Sequence, residues 1–296
     1  MAMKATAADS KQTCGGDAEN DSVVVEQLLA SGDTTTLFYA RQLIGRPYVA
    51  HTLEVNDEER LVVNLRQLDC TTLVETVCAL TLCARESRKE QLQPEGICKH
   101  RYKLEGTCKH HYHSFCNFLQ LLRYRQGRID GYPSRLHYFS DWIDDNVQLG
   151  LVQDILSPVD STLPSPYPTT TLHLNYMSTH PQAYKALRNN PSLVKQIAAQ
   201  EKRLTGRKCH FIPKDKVKDI KLLKPIIRDG DIIAITCSKP GLDIAHLGFA
   251  VWRADGLHLL NASQLHKKVV EEPMTLGEYL GKHPSFTGIR VIRLLP

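Results

Sequence analysis

The order of structural elements limits the fold of this chain more than any single motif does. The first half is rich in helical patterns, and from Asp229 onward the character changes to strands. "GDIIAITCS" reads as a buried strand, "KPGLD" as a turn and "AHLGFAVWR" as a second strand. "ADG" turns the chain into a third strand, "LHLLNASQ", and "FTGIRVIRLL" is a fourth. Helices followed by an antiparallel meander or barrel predict an α+β fold, not a parallel α/β sheet.

In the helical half, "DSVVVEQLLAS" has Asp21 or Ser22 as its N-cap, and "DTTTLFYARQLIG" ends at Gly45. "RPYVAHTLEV" reads as extended, and "ERLVVNLRQL" alternates as a strand would. Asp69 then opens a helix running to about Arg85, with Leu73, Val77 and Leu80 in one stripe. Residues 86–113 are polar, basic and rich in histidine, an excursion from the core. Helices are expected over 114–125 and over "SRLHYFSDWIDDNVQLG", followed by two short ones split at Pro191. Residues 1–22 are small, polar and aperiodic, and read as a flexible leader without an apolar signal segment, as after signal-peptide removal. Residues 23–296 are expected to form a single domain with an elaboration at about 86–205.

Composition excludes several function classes. Lysine and arginine exceed aspartate and glutamate by 5, spread along the chain without a dense basic block, which argues against a nucleic-acid partner. No run of 18 apolar residues exists, so stable membrane insertion is not expected. The 9 cysteines are an odd number, so at least one thiol is unpaired within a monomer. Cys70, Cys78 and Cys83 share one expected helix and lie too far apart along it to bridge. Cys78 and Cys83 read as core; a dense disulfide scaffold is not expected, although one bridge such as Cys98 to Cys108 is conceivable.

A cysteine in a first helical turn is either a small buried hydrophobe or an activated nucleophile, and Cys70 poses that choice. With Asp69 as cap, the unpaired N–H groups and positive helix end favour a thiolate and can hold an oxyanion. A nucleophile needs a base, and a base needs an orienter. His246 starts a strand two residues before Gly248, where a backbone can approach closely. Asn261 lies on the next strand and can share the face of His246, Gly248 and Ala250. A two-residue Asp255-Gly256 turn would set Asn261 opposite Ala250, roughly 13 Å along the strand from His246. A four-residue loop, Arg253 to Gly256, would set it opposite Gly248, about 7 Å along, within diagonal reach. The longer loop or a bulge is therefore expected.

Taken together, "GRPYVAHTLEV…LVVNLRQLDCTTLVE", "YRQGRIDGYPSRLHYFSDWI", "LNYMSTHPQAYKAL", "AHLGFAVW" and "LHLLNAS" resemble the N-acetylmuramoyl-L-alanine amidase-like family over roughly residues 25–296. That family is similar to the NlpC-type, papain-like cell-wall amidases and endopeptidases. The resemblance implies a papain-like core and a monomeric, extracytoplasmic (periplasmic) cysteine amidase without metal or organic cofactor. Its expected partner is a muropeptide with a 1,6-anhydro-muramyl end, cut between the lactyl group and L-alanine. It implies Cys70 as nucleophile, His246 as base and Asn261, where the wider superfamily often has histidine, as orienter. A Cys70 thiolate paired with a His246 imidazolium would attack, and Tyr48 would be a second oxyanion donor.

Further residues carry two readings. Arg135, His137 and Trp142 line a sugar pocket in one and belong to ordinary structure in the other; Tyr138 and Phe139 read as core. Asp69 is a cap first and a substrate contact second. Met177, Ser178 and Thr179 shape the cleft or brace a loop. "ICKHRYKLEGTCKHHYHSFC" (97–116) offers zinc-ligating residue types, but its spacing is unlike the usual zinc frames, so no metal site is assigned. The rival functions are a γ-D-glutamyl-diaminopimelate endopeptidase of the same superfamily and a non-catalytic zinc- or glycan-binding module.

Overall fold

Helix α1, Ala18–Leu29, buries Val25 and Leu29, four residues apart on one face. It starts before the expected cap. Asp21 lies inside the helix, buried, and its Oδ1 accepts from the Leu65 backbone N–H at 3.4 Å. These positions come from a computed structural model that describes residues 18–92, 111–158 and 164–296. Most of the expected leader, and most of the histidine-rich excursion, lies outside the described residues.

Helix α2 is Thr36–Gln42. The expected strand "ERLVVNLRQL" is absent: Leu61, Val62, Val63, Leu65 and Leu68 are all buried, without alternation. Backbone carbonyls that a ladder would satisfy are taken by side chains instead. Arg123 Nη1 donates to Val62 O at 2.6 Å, and the Tyr124 hydroxyl donates to Arg60 O at 3.0 Å.

Helix α3, Cys70–Leu92, runs past the expected end at Arg85. From Thr72 to Ala84 every residue is buried, as for a helix enclosed on all sides. Helix α4, His111–Arg123, packs Phe115, Leu119 and Leu122 into the same core, and the buried Arg123 pairs with the buried Glu75 of α3 at 2.7 Å. Helix α5 is Phe139–Gln148, shorter than expected. Tyr132–Ser134 form a 3-10 turn, and Arg135 bridges to Tyr124 in extended backbone. Arg135 and His137 are therefore not helical.

Strands β1 (Val152–Asp154), β2 (Thr169–Thr171), β3 (Lys208–His210) and β4 (Ile212–Pro213) are short. Helices α6 (Tyr176–Thr179), α7 (Pro191–Leu204) and α8 (Ile220–Leu223) separate or follow them. Strands β5 (Ile232–Cys237), β6 (Ile244–Arg253), β7 (Gly256–Ser263) and β8 (Lys268–Glu271) make a consecutive antiparallel meander. After α9 (Leu276–Gly281), β9 (Phe286–Leu294) returns to the far side of β5, so the sheet order is β1-β9-β5-β6-β7-β8. The expected fourth strand does not extend the meander; β8 holds that place. No pairing closes this order into a barrel among the described residues. The chain is thus α+β, mixed helix and antiparallel sheet.

Both faces of the sheet are covered. Ile232, Ala234, Leu247, Phe249 and Leu260 face the core that contains α3, whereas Ile233, Ile235, Ala250 and Leu259 face a second core with Leu276 and Leu280 of α9. The period of 2 puts His246, Gly248 and Asn261 with the second set, beside α9. A third, smaller cluster contains Tyr132, Tyr138, Met177 and Ile197.

Candidate active site

Cys70 opens α3 because Asp69 and Thr72 cap the helix reciprocally. Thr72 N donates to Asp69 Oδ1 at 2.8 Å, and Asp69 N donates to Thr72 Oγ1 at 2.9 Å. The cap takes the Thr72 N–H, and the N–H groups of Cys70 and Thr71 lie ahead of it at the positive helix end. Cys70 is partly exposed as a residue, while its thiol sits in an enclosed setting.

The hairpin between β6 and β7 sets the partners. Arg253 pairs with Gly256 and Phe249 with Leu260, so Asn261 comes next to Gly248. The loop is only Ala254-Asp255, tighter than the expected four residues, yet it gives the register of the longer loop. A side chain at Gly248 would meet Leu260 O at 2.6 Å, and this close approach lets Asn261 reach back diagonally. His246 Nε2 and Asn261 Oδ1 are 2.9 Å apart. Behind them, Asn261 Nδ2 donates to Glu272 Oε1 at 3.1 Å, and Glu272 Oε2 lies 3.2 Å from His266 Nε2.

Burial works against charge at both groups. The enclosed setting of Cys70 pushes its thiol up to about 12, and the Asp69 charge adds to that. The Leu247 N–H, the Thr71 hydroxyl and Cys70's own N–H pull the other way without overcoming it. His246 is pushed down by burial, against its bond to Asn261 and the Glu272 charge. Burial thus favours the neutral form of each group, against the charged pair that the family resemblance implies.

Tyr48 is held by a bridge to Leu68, next to the start of α3. Burial first, then the charges of Cys70 and Asp69, push its phenol up to about 12. Tyr279 of α9, which sequence reasoning missed, packs its ring 6.3 Å from that of His246. Its phenol is pushed up to about 12 by burial, Glu272 and Cys70, in that order. Glu272 and His266 were missed as well. The four-residue β8 carries too short an alternation to announce a strand, so nothing in the sequence placed Glu272 behind Asn261.

A cleft of about 240 Å³ is lined by Asp69 and Thr71, on either side of Cys70, and by Arg135, His137, Tyr138, Met177 and Tyr184, among others; Cys70, His246, Asn261 and Tyr48 are not in its lining. Arg135 is buried and pairs with Glu54 and Glu59. His137 bonds to Tyr132 O at 2.9 Å and packs on the Tyr132 ring; burial and Arg135 push it down to about 3. Leu53, Glu54 and Tyr132 also line a neighbouring cavity of about 510 Å³. Trp142 is not in the cleft. It is fully buried in the main core, stacked on Phe139 at 4.7 Å, because α5 turns this face inward. Ser178 is not in the cleft lining either: its hydroxyl donates to Asn175 O and its N–H to Glu201 Oε1. Thr179 likewise caps back on Asn175 O.

Among the described residues, no group of three or more metal-ligating side chains is placed to hold a metal ion. Residues 93–110, including the candidate Cys98–Cys108 bridge, lie outside them. Cys116 is buried in the core, and His111 Nδ1 lies 3.1 Å from Glu26 Oε2.

A family model described as N-acetylmuramoyl-L-alanine amidase-like matches residues 39–289. An N-acetylmuramoyl-L-alanine amidase from Bacteroides uniformis is 41% identical, with a TM-score of 0.75 over 90% of this chain and 100% of that one. A Bacteroides fragilis protein, provisionally named a xylanase, is 41% identical, with a TM-score of 0.74 over 87% and 100%. A Legionella pneumophila protein shares the fold at 22% identity, with a TM-score of 0.66 over 94% and 95%. No curated protein matches.

Proposed function

The chain belongs to the N-acetylmuramoyl-L-alanine amidase-like family, and from that premise we propose that it is a cysteine amidase of peptidoglycan fragments. Its substrate in this reading is a muropeptide, cut between the lactyl group of N-acetylmuramic acid, in its 1,6-anhydro form, and L-alanine of the stem. The observation that carries the reading is the His246–Asn261 hydrogen bond, next to Leu247, whose N–H faces the Cys70 sulfur.

The chemistry starts from the neutral pair. As Cys70 Sγ attacks the amide carbonyl carbon, its proton passes to His246 Nδ1. The Cys70 N–H and the Tyr48 hydroxyl stabilise the oxyanion. Collapse breaks the C–N bond, and His246 returns the proton to the leaving L-alanine amine. A water that gives its proton to His246 then attacks the thioester, releasing the lactyl acid and restoring the thiol. No step calls on a metal or organic cofactor. Arg135 and His137 form the cleft wall beside Asp69, Arg135 held by Glu54 and Glu59 and His137 by Tyr132 O.

A helix bearing the cysteine, against an antiparallel sheet bearing the histidine and its partner, supports a papain-like core. Residues 23–296 would act as one catalytic domain and as a monomer. No helix among the described residues is long and apolar enough to cross a membrane, and the periplasmic setting follows from the proposed substrate. Glycoside cleavage, which the Bacteroides fragilis name suggests, uses in most families two carboxyl groups that flank the scissile bond. The cleft carboxylates here are engaged: Asp69 caps α3, Glu75 pairs with Arg123 and Glu54 with Arg135.

Mass spectrometry of muropeptide digests tests the reading. Free sugar with an intact stem peptide is expected. Shortened stems still on sugar would make the enzyme an endopeptidase, and shortened glycan a glycosidase.

A further inference from the structure

We propose that Glu272 is a positioning residue, which holds Asn261 in the one amide orientation that leaves His246 Nδ1 free to take the thiol proton. The inference rests on the cysteine amidase reading above and adds a fourth side chain to it.

Glu272 follows β8 and is fully buried. Its backbone is fixed on both sides: Glu272 N donates to Leu259 O at 2.8 Å, and Glu272 O lies 2.9 Å from His258 Nδ1. One carboxylate oxygen receives Asn261 Nδ2 at 3.1 Å, and the other lies 3.2 Å from His266 Nε2. A carboxylate accepts and does not donate, so the amide end that faces it must be the NH₂ end. Asn261 Oδ1 is then the atom 2.9 Å from His246 Nε2, and an oxygen there requires the proton on Nε2. A neutral imidazole has one ring proton, so Nδ1 is bare. With the amide reversed, Oδ1 would confront the carboxylate, and Nδ2 would demand a bare Nε2. The proton would then sit on Nδ1, and the base would be lost. A buried carboxylate is expensive unless its bonds serve a purpose, and this one spends its inner oxygen on Asn261.

The test uses the full chain with two readouts: kcat and KM on a muropeptide, and the ¹⁵N shifts of the His246 ring in the resting protein. Glu272→Leu removes the acceptor, so kcat should fall by about 10–10²-fold, no further than in Asn261→Ala, while KM changes little. The His246 Nδ1 signal should move toward the protonated form. Glu272→Gln keeps an acceptor oxygen toward Asn261 and should lose about tenfold at most. Asn261→Asp sets two acids face to face, and adding Glu272→Gln lets the new amide donate to the new carboxylate. The double variant should recover about tenfold or more over Asn261→Asp alone. If Glu272→Leu does not fold, that double variant decides.

A Glu272→Leu protein with wild-type kcat and an unchanged His246 tautomer would overturn the proposal, as would a double variant no better than Asn261→Asp. Failure of the amidase reading has a different signature. The wild type would show no Cys70-dependent hydrolysis, while the tautomer comparison would still judge Glu272 by itself.

Discussion

His246 of β6 and Asn261 of β7 meet across 2.9 Å although they are not cross-strand partners. The Arg253–Gly256 pairing sets Asn261 beside Gly248, and the bond runs diagonally from there. An orienter acts through the base, so its loss should cost less than loss of the base. In steady-state muropeptide hydrolysis, Cys70→Ala should abolish turnover and His246→Ala should lower kcat by about 10²–10⁴-fold. Asn261→Ala should lower it by about 10–10²-fold with little change in KM. An Asn261→Ala loss as deep as that of His246→Ala would contradict the assigned roles.

The raised thiol of Cys70 and lowered imidazole of His246 predict a specific pH response. With a thiol near 12, the thiolate fraction grows about tenfold per pH unit through the neutral range. Iodoacetamide alkylation of Cys70 should therefore rise steadily from about pH 5 to 8, where a preformed ion pair would give a plateau. Hydrolysis needs a neutral His246, so its acid limb should lie below the ordinary histidine value and activity should fall as pH drops through it. Asp69→Asn keeps a capping side chain but removes the charge that helps raise the thiol, so alkylation should be faster. Slower alkylation in that variant would contradict the electrostatic assignment.

The parts of the site legible in the sequence were those fixed by local geometry. Asp69 is a capping residue at a helix start, so the position of Cys70 follows from its neighbours. Strand alternation put His246, Gly248 and Asn261 on one face, and the loop arithmetic gave the right register even though the loop itself is tighter. What was not legible depends on contacts distant in sequence. "ERLVVNLRQL" alternates like a strand, but Arg123 and Tyr124 of a later segment take its carbonyls. Trp142 is apolar and helical whether it faces a cleft or a core, and only the packing of α5 decides. Glu272 and Tyr279 come to the site on elements whose placement rests on β8, which is four residues long.

Gly248 is held to glycine by space alone. A methyl there would lie 2.6 Å from Leu260 O and 2.8 Å from the Leu259 side chain. Gly248→Ala should push β7 away and cost about 1–3 kcal/mol of stability, read as a lower urea midpoint. Because β7 carries Asn261, kcat should fall further than the loss of folded protein explains. Wild-type kcat in the folded fraction would show that the His246–Asn261 contact tolerates the shift.

His137 makes stability itself pH-dependent. Burial, with the charge of Arg135, lowers its folded value to about 3 from the ordinary 6.5. Above 6.5 the ring is neutral in both folded and unfolded chains, and it contributes no slope. Below 6.5 the unfolded chain takes up a proton that the folded one refuses, so stability falls as pH drops, down to about 3. The loss from this group is roughly 1 kcal/mol per pH unit across that window. His137→Gln can still donate to Tyr132 O but cannot be protonated there. Chemical denaturation at a series of pH values should give a flatter profile for the variant between about pH 6 and 4. Identical slopes for the two proteins would mean that His137 does not carry this dependence.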